Sequence, residues 1–358
     1  MNHHPDRGGA AHLRATAPIA TTYRKTTGQY VMTYTARDRQ VPDVPEAPDA
    51  PDAPDAPAIE TIGLGRHYRR GWALHDATFR LPAGRIAALV GPNGAGKTTL
   101  LSLAADLIEP TAGTITLSGH RPGSPEARRS TGFLGQQKAL YPRFRVHEIL
   151  RMGQELNPTW HQETAESVIE AGGVPMNARI GTLSGGQSTR VAFALALGKR
   201  PQLMLLDEPM ADLDPLVRHR MTDILQADAR RRGSTVVMSS HLVSELEGAC
   251  DYLVLINNGT VRLAGEVDLL LDEHRQISAK TADLERHRTD LDGYDVIATS
   301  SSNGRLASLV RNRHAPPPNT DHRTPTLEEL VLGYLRTPDA PPLLTPSAQV
   351  TNRSEVAA

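Results

Sequence analysis

The segment GPNGAGKTT at positions 91–99 constrains the fold of this chain more than any other feature. It follows the apolar run RIAALV, which predicts a buried parallel strand, and it opens the helical segment KTTLLSLAADLI. The segment fits the pattern G-x-x-x-x-G-K-[ST], a strand-to-helix turn whose backbone N–H groups surround phosphate. Other strands and helices alternate along the chain. We therefore expect an α/β domain with its ligand at the carboxyl ends of parallel strands.

Residue types within this loop predict individual contacts to a nucleotide. The N–H groups of the loop and the positive end of the following helix would surround the phosphates. Lys97 is placed to reach the β- and γ-phosphates, Thr98 to bind Mg²⁺ and Thr99 to contact the α-phosphate. The residues expected to form the cradle are Gly91, Pro92, Asn93, Gly94, Ala95 and Gly96.

Polar side chains end three further apolar stretches. Asp207 and Glu208 close QLMLLDEP, where the first carboxylate suits Mg²⁺ and the second suits the orientation of an attacking water. His241 follows TVVMSS and is a candidate contact to the γ-phosphate. Gln136 ends GFLGQ and is a candidate ligand of Mg²⁺ or of the lytic water, although Gln137 satisfies the spacing equally well.

Two other features predict nucleotide contacts. Tyr68 lies 29 residues before Lys97 on a predicted strand, and its ring offers a face on which a base can stack. The motif LSGGQ at 183–187 precedes the helical segment STRVAFALAL and so forms a second anion-binding helix N-terminus. Its expected ligand-binding residues are Ser184, Gly185, Gly186 and Gln187.

Composition narrows the class of protein. The chain has 358 residues and a formal net charge of −1, so no general positive field predicts a nucleic-acid partner. Its single cysteine, Cys250, cannot form an intrachain disulfide, which is typical of a reducing cytosol. No apolar run reaches the ~18 residues that a membrane-spanning helix needs, and the first forty residues contain no signal-peptide core.

The chain divides by composition into four segments. Residues 1–58 contain a Pro-Asp-Ala tract and are expected to be a disordered extension, with Met32 as a possible later start. Residues 59–272 form the main α/β domain. Residues 273–336 are expected to form a small α/β appendage that ends in the amphipathic segment TLEELVLGYLR. Residues 337–358 are expected to be a disordered tail.

Taken together, these motifs resemble the nucleotide-binding subunit of an ATP-binding cassette (ABC) transporter over roughly residues 59–272. The family's motifs occur here in the family's order: the aromatic A-loop (Tyr68), Walker A (Gly91–Thr98), the Q-loop (Gln136), the signature (Leu183–Gln187), Walker B (Asp207, Glu208), the D-loop ADLD (with Asp214) and the His-switch (His241). Two departures are minor. Ser188 and Thr189 follow the signature in place of longer polar residues, and the Q-loop lacks the common proline before its glutamine.

The resemblance implies a P-loop NTPase fold: a RecA-like core, an antiparallel β subdomain and a helical signature subdomain at about 138–190. It also implies Mg²⁺-dependent ATP hydrolysis by Lys97, Gln136, Glu208 and His241. The expected assembly is a head-to-tail dimer of two copies, or of this chain and a paralogous cassette, in which each signature completes the partner's ATP site.

A separate multi-span permease is the second implied partner, and it would contact residues 138–150 at the cytoplasmic face of the membrane. The C-terminal segment is similar to the ending of cassette subunits in drug or antibiotic exporters, so export is the expected direction. Two alternatives remain at this stage. One is an importer subunit. The other is a soluble cassette ATPase acting on ribosomes or DNA, although such proteins usually carry two cassettes or a coiled-coil insertion and neither appears here. A P-loop kinase or GTPase is excluded, because it would leave LSGGQ unexplained and would need an N-K-x-D motif, which is missing.

Overall fold

A computed structural model describes residues 20–26, 29–35, 56–241, 243, 247–280, 283, 289, 291–302, 304–311 and 321–350. The chain divides into two units, Met1–Asp52 and Ala53–Ala358. In the first unit, strands β1 (Ala20–Thr26) and β2 (Gln29–Thr35) pair antiparallel. These segments are rich in Thr and Tyr, which favour strands. The Pro-Asp-Ala tract before residue 56 lies outside the described residues.

The second unit contains the remaining elements. In chain order the first of them are β3 (Ile59–Tyr68), β4 (Gly71–Leu81), β5 (Ile86–Val90), α1 (Lys97–Ala104), β6 (Ala112–Leu117), α2 (Pro125–Ser130), β7 (Thr131–Leu134), α3 (Val146–Leu156), α4 (Gln162–Ala171), α5 (Gly185–Gly198), β8 (Leu203–Leu206), α6 (Pro215–Arg232) and β9 (Thr235–Ser240). They are followed by β10 (Tyr252–Asn257), β11 (Thr260–Glu266), α7 (Val267–Asp272), β12 (His274–Lys280), β13 (Val296–Ser302), β14 (Arg305–Arg311), β15 (Asp321–Arg323), α8 (Leu327–Arg336) and β16 (Leu343–Leu344).

A seven-stranded sheet in the order β16-β11-β10-β5-β9-β8-β7 organises this unit. Its five strands from β10 to β7 are mutually parallel, whereas β11 runs antiparallel to β10. The parallel strands are continuous apolar runs because both of their faces are covered. In β5, Ile86, Ala88 and Val90 face one core, and Ala87 and Leu89 face the other. This is the P-loop NTPase core that the sequence predicts.

The two faces of the sheet are covered by different layers. A three-stranded antiparallel sheet, β4-β3-β6, and helix α1 share one core with residues of β5, β8 and β10. Helices α3 to α6 and α8 contribute to the core on the opposite face. Helices α4 and α5 pack against each other, and α3 packs against α5. These three helices span the region predicted to be the helical signature subdomain.

The C-terminal region forms a four-stranded sheet in the order β13-β14-β12-β15, with α8 packed against β13 and β14. A buried network joins α8 to this sheet. His274 Nε2 accepts a hydrogen bond from the Tyr334 hydroxyl at 3.0 Å, and Arg311 donates to the same hydroxyl oxygen at 3.1 Å. Leu330 and Tyr334 belong to the main hydrophobic core, so the appendage and the cassette share one continuous core.

Residues 337–350 differ from the disordered tail that the sequence predicts. Leu343 and Leu344 in β16 pair with β11 and extend the central sheet by one strand. Thr345 and Ser347 donate hydrogen bonds to Glu266 Oε2 at 2.9 and 2.8 Å. Ala348 is fully buried. The remaining residues, 351–358, lie outside the described part of the chain.

Candidate functional site

Strand register brings the predicted site residues to one edge of the sheet. Leu134 of β7 pairs with Leu206 of β8, so the residues two positions further on, Gln136 and Glu208, emerge side by side. In the same way, Val90 of β5 pairs with Ser240 of β9. The phosphate loop and His241 therefore follow neighbouring strands. Four segments distant in sequence meet because the carboxyl ends of parallel strands share one edge.

The phosphate loop is held by close backbone packing. Gly96 has a φ of +113°, and a β-carbon there would lie 2.5 Å from the carbonyl oxygen of Ala73. A β-carbon at Gly91 would lie 2.2 Å from the carbonyl oxygen of Ile256. Both positions therefore require glycine. Helix α1 begins directly after the loop with no side chain capping its first turn, which leaves those N–H groups directed at a ligand.

Lys97 lies inside this loop. Its side-chain nitrogen donates to the carbonyl oxygens of Gly91 at 2.7 Å and Pro92 at 3.2 Å. Burial lowers the pKa of Lys97, and the negative charges of Glu208 and Asp207 oppose that shift. A buried ammonium group facing two carboxylates is placed to exchange its carbonyl partners for phosphate oxygens, which carry more charge.

The acidic pair lies at the end of β8 and is fixed by a serine that the sequence analysis did not single out. Asp207 is 2% exposed and its backbone N–H donates to the Leu134 carbonyl at 2.8 Å. The Ser239 hydroxyl donates to Asp207 Oδ1 at 2.7 Å and accepts from the Glu208 N–H at 2.8 Å. Glu208 has a φ of +45°, which is unfavourable for a residue with a side chain. One hydroxyl thus supports both acidic residues.

The Glu208 carboxylate lies near both of the other predicted residues, Gln136 and His241. Gln136 Nε2 donates to Glu208 Oε2 at 3.5 Å, the outer limit of a hydrogen bond. His241 Nδ1 lies 3.5 Å from Glu208 Oε1. A cavity of about 140 Å³ adjoins this cluster, and Glu208 and His241 are among its lining residues. The register thus selects Gln136 over Gln137 as the amide that contacts Glu208.

The donor groups at this edge fit a nucleotide and a magnesium ion. The uncapped helix start and the ammonium group of Lys97 match a polyphosphate. Asp207 supplies a carboxylate, Thr98 a hydroxyl at the helix start and Gln136 an amide oxygen, and Mg²⁺ prefers such oxygen ligands. Thr98 and Thr99 both lie in the first turn of α1, with Thr98 the more exposed.

The predicted base-stacking residue lies at the tip of the β3–β4 hairpin. Tyr68 is 43% exposed, and its partner across the hairpin is Gly71. The guanidinium carbon of Arg66 is 4.9 Å from the centre of the Tyr68 ring, and Arg66 also donates to the Glu109 carbonyl at 2.8 Å. This cation–π contact is a further feature of the site that sequence reasoning missed, although the spacing of two residues on one strand face could have indicated it.

The signature motif forms the start of α5. The Ser184 hydroxyl accepts the N–H of Gln187 at 3.2 Å, and the Gln187 side chain accepts the N–H of Ser184 at 3.0 Å. This capping box makes a rigid helix start with Ser184 and Gly185 exposed. Among the described residues 56–241, no hydrogen bond or ion pair joins the signature to the phosphate loop of the same chain.

Asp214, the predicted D-loop residue, caps helix α6. Its carboxylate accepts the N–H of Val217 at 3.0 Å, and Pro215 occupies the first helical position. The carboxylate therefore has a local structural partner. No helix in the described part of the chain is long and apolar enough to cross a membrane.

Comparisons with known proteins identify the family. A family model described as ABC transporter matches residues 74–211. The aliphatic sulfonates import ATP-binding protein SsuB of Pseudomonas putida is 38% identical over 209 residues, which cover 58% of this chain and 76% of that protein. The Nod factor export ATP-binding protein I of a Bradyrhizobium strain is 33% identical over 223 residues, covering 61% and 73%.

Solved structures agree with this result. A structure described as the ATP-binding subunit of an ABC transporter superposes with a TM-score of 0.55 and 26% identity, covering 60% of this chain and 92% of that one. The dimeric cassette MJ0796 superposes with a TM-score of 0.53 at 24% identity, covering 58% and 98%, and so supports the fold. With the phosphate loop, the acidic pair and the exposed signature helix in place, the chain belongs to the ATP-binding ATPases of the ABC transporter family.

Proposed function

We propose that this chain hydrolyses ATP to drive transport through a separate membrane subunit. The observation that carries the proposal is the convergence of the phosphate loop, Asp207, Glu208, Gln136 and His241 at one sheet edge. Such an arrangement surrounds the γ-phosphate of a nucleotide with one cation, one amide, one imidazole and two carboxylates. These are the groups that in-line phosphoryl transfer to water requires.

Each residue has a definite role in this proposal. Lys97 leaves its two carbonyl partners and offsets the charge of the β- and γ-phosphates. Glu208 holds and polarises the attacking water, while Gln136 and His241 fix the carboxylate from either side. Thr98, Asp207 and Gln136 would hold Mg²⁺, which when bound draws charge from the phosphate oxygens. Tyr68 receives the adenine on its ring.

The signature residues act on a different molecule of ATP. Ser184 and Gly185 are exposed at an uninterrupted helix start, and within the described residues 56–241 no hydrogen bond or ion pair joins them to the phosphate loop of their own chain. We infer that Ser184, Gly185, Gly186 and Gln187 bind the γ-phosphate held by a partner cassette. The partner is a second copy or a paralogous cassette. Asp214 lies beside that interface, where it fixes the start of α6.

The membrane partner and the direction of transport are further parts of the proposal. Residues 138–150, which include the start of α3, are the proposed contact to a multi-span permease at the cytoplasmic face of the membrane. Export of a drug, antibiotic or lipid-like compound is the direction we propose, on the basis of the compact C-terminal sheet and helix. The relatives include both an import and an export protein, so a transport assay is the experiment that establishes the direction.

A substitution at Glu208 tests the mechanism. Glu208→Gln removes the negative charge but keeps the size of the side chain, so ATP should bind and turnover should be lost. Trapping of an ATP-bound dimer by size-exclusion chromatography is the expected readout. Lys97→Ala provides the matched variant, because it should prevent nucleotide binding itself. Unchanged turnover in both variants would refute the assignment of this edge as the hydrolytic site.

A substitution at Ser184 tests the assembly. Ser184→Arg places a large cation at the exposed helix start and removes the cap of α5. Nucleotide binding to the monomer should persist, while dimer formation and turnover should be lost. If Ser184→Arg instead abolished nucleotide binding to the monomer, the signature would belong to the ATP site of its own chain.

Identification of the membrane partner tests direction. Affinity capture from detergent-solubilised membranes should recover a multi-span protein, and reconstitution of both in proteoliposomes should give ATP-dependent movement of its substrate. Accumulation of substrate on the side that carries the cassette would establish import and contradict the export proposal.

A further inference from the structure

Lys138 and Asp212 form an ion pair between two segments that leave the catalytic edge. Lys138 follows Gln136 by two residues and Asp212 follows Glu208 by four. The Lys138 ammonium group contacts Asp212 Oδ2, and the Lys138 side chain is only 13% exposed. Among the described residues this carboxylate is its ion-pair partner. Lys138 is thus a mostly buried cation whose partner carboxylate is 56% exposed, and the pair joins the two segments next to solvent.

Asp212 also supports the signature glycines. A β-carbon at Gly185 would lie 3.8 Å from Asp212 Cβ, and one at Gly186 would lie 3.7 Å from Leu213 Cδ2 and 3.9 Å from the Asp212 carbonyl oxygen. Leu213 is itself 5% exposed and belongs to the main core. Residues 212–213 therefore lie beside the start of α5, close enough that Asp212 would touch a β-carbon at either glycine and Leu213 would touch one at Gly186.

These contacts connect the catalytic residues to the signature of the same chain. Gln136 contacts Glu208 at the proposed γ-phosphate edge, Lys138 contacts Asp212, and Asp212 lies beside Gly185. Movement of the Gln136 segment when ATP binds would be passed to the signature through the ion pair. Sequence alone places these residues in three separate segments, so only the fold reveals the connection.

We propose that the Lys138–Asp212 ion pair is a latch that positions the signature residues Ser184–Gly186 for the ATP bound by the partner cassette. The inference rests on the proposed function, because it assumes that the signature acts across a dimer. Both residues act through the signature and the Gln136 segment, so they are positioning residues.

Charge reversal and charge exchange test the latch in the full-length protein. Lys138→Glu and Asp212→Lys should each lower ATP turnover by about threefold to tenfold, in line with coupling between neighbouring residues. The double variant, which restores the pair with opposite polarity, should recover turnover to within about twofold of wild type. Arg129→Glu, which breaks the exposed pair with Glu126, is the control and should leave turnover unchanged.

A second readout separates positioning from general damage. Binding of a fluorescent ATP analogue to the monomer should be equal in the wild type and all latch variants. In the Glu208→Gln background, the yield of ATP-trapped dimer should fall with either single reversal and return in the double variant. If a reversal impairs folding, as judged by circular dichroism, Lys138→Met and Asp212→Asn provide milder breaks of the same contact.

The outcomes are distinct from those of the proposed function. If the exchange variant is as inactive as the product of the two single effects, the residues do not act as a pair and the latch is wrong. Single variants with wild-type turnover and dimer yield would also overturn it. Failure of the proposed function would appear elsewhere, as persistent turnover in Lys97→Ala and Glu208→Gln.

Discussion

Substitution of Ser239 by alanine is the most direct test of how the catalytic edge is held. Ser239 is 1% exposed, and its hydroxyl makes two hydrogen bonds, one to the Asp207 carboxylate and one from the Glu208 N–H. Hydrogen bonds to charged groups contribute about 1.5–3 kcal/mol each, and an unsatisfied buried N–H costs about 1–3 kcal/mol. Because the cluster can partly relax, we expect Ser239→Ala to lower the free energy of unfolding by about 2–4 kcal/mol.

The effect on catalysis should be comparable in free energy with the effect on stability. Glu208 is held at a φ of +45°, and such strain costs about 1–3 kcal/mol and persists only while neighbouring contacts enforce it. Without the Ser239 hydroxyl the Glu208 backbone can relax and move the carboxylate away from the water position. Misplacement by about 1 Å lowers turnover roughly a hundredfold.

Urea denaturation and steady-state ATP turnover measure the two effects. Thr235→Val is the matched control, because the Thr235 hydroxyl also accepts a backbone N–H, that of Gly84 at 2.9 Å, at the opposite end of the same strand. The control should lose about 1–2 kcal/mol of stability and keep its turnover. If Ser239→Ala is as stable and as active as wild type, the argument that this hydroxyl supports the acidic pair is refuted.

Three further predictions concern parts of the chain outside the catalytic edge. Burial lowers the pKa of His274 from 6.5 to about 4. Between these two pH values the unfolded chain binds a proton that the native chain does not. The free energy of unfolding is therefore highest above pH 6.5 and decreases as the pH falls towards 4. At pH 5 this loss is about 2 kcal/mol, and urea midpoints should show a smaller loss between pH 7 and pH 5 in His274→Gln than in wild type. Burial, with a smaller contribution from Asp251, raises the pKa of Cys250 to about 12, and the side chain is partly buried. A thiol reagent at pH 8 should therefore label Cys250 more slowly in the native than in the unfolded protein, and equal rates would contradict the raised pKa. Truncation after Arg336 removes β16 and two hydrogen bonds to Glu266 and should lower the free energy of unfolding by at least about 2 kcal/mol, whereas truncation after Val350 should not.

Local sequence patterns predicted the elements that carry the chemistry. The strand before Gly91, the loop itself and the helix after it are specified within a dozen residues, because glycines, an apolar run and Lys97 all act locally. Asp207 was recognisable for the same reason, since it follows the continuous apolar run LMLL, whereas His241 follows TVVMSS, whose last two residues are polar. These patterns depend on backbone geometry and burial, which neighbouring residues largely determine.

Elements that depend on short segments or on residues far apart in sequence were not predicted. The segment PPLLTPSAQV was expected to be a tail because two leucines show no periodicity. In the structure, Leu343 and Leu344 form a short strand that pairs with the edge strand β11. Ser239 is one of two serines at the end of β9, and only the pairing of β8 with β9 shows that its hydroxyl reaches the acidic pair.

The sequence by itself determined the family, the phosphate loop and the identity of the residues at the strand ends. Their residue types and their spacing along the chain are enough to recognise the motifs without knowledge of the tertiary structure. The tertiary structure decided which of these residues meet: strand register made Gln136 the partner of Glu208, and the fold placed Asp212 beside the signature glycine Gly185. The reason is physical. Contacts between segments about 70 residues apart depend on how strands align in a shared sheet, and that alignment is fixed by the burial of the whole core rather than by any single segment.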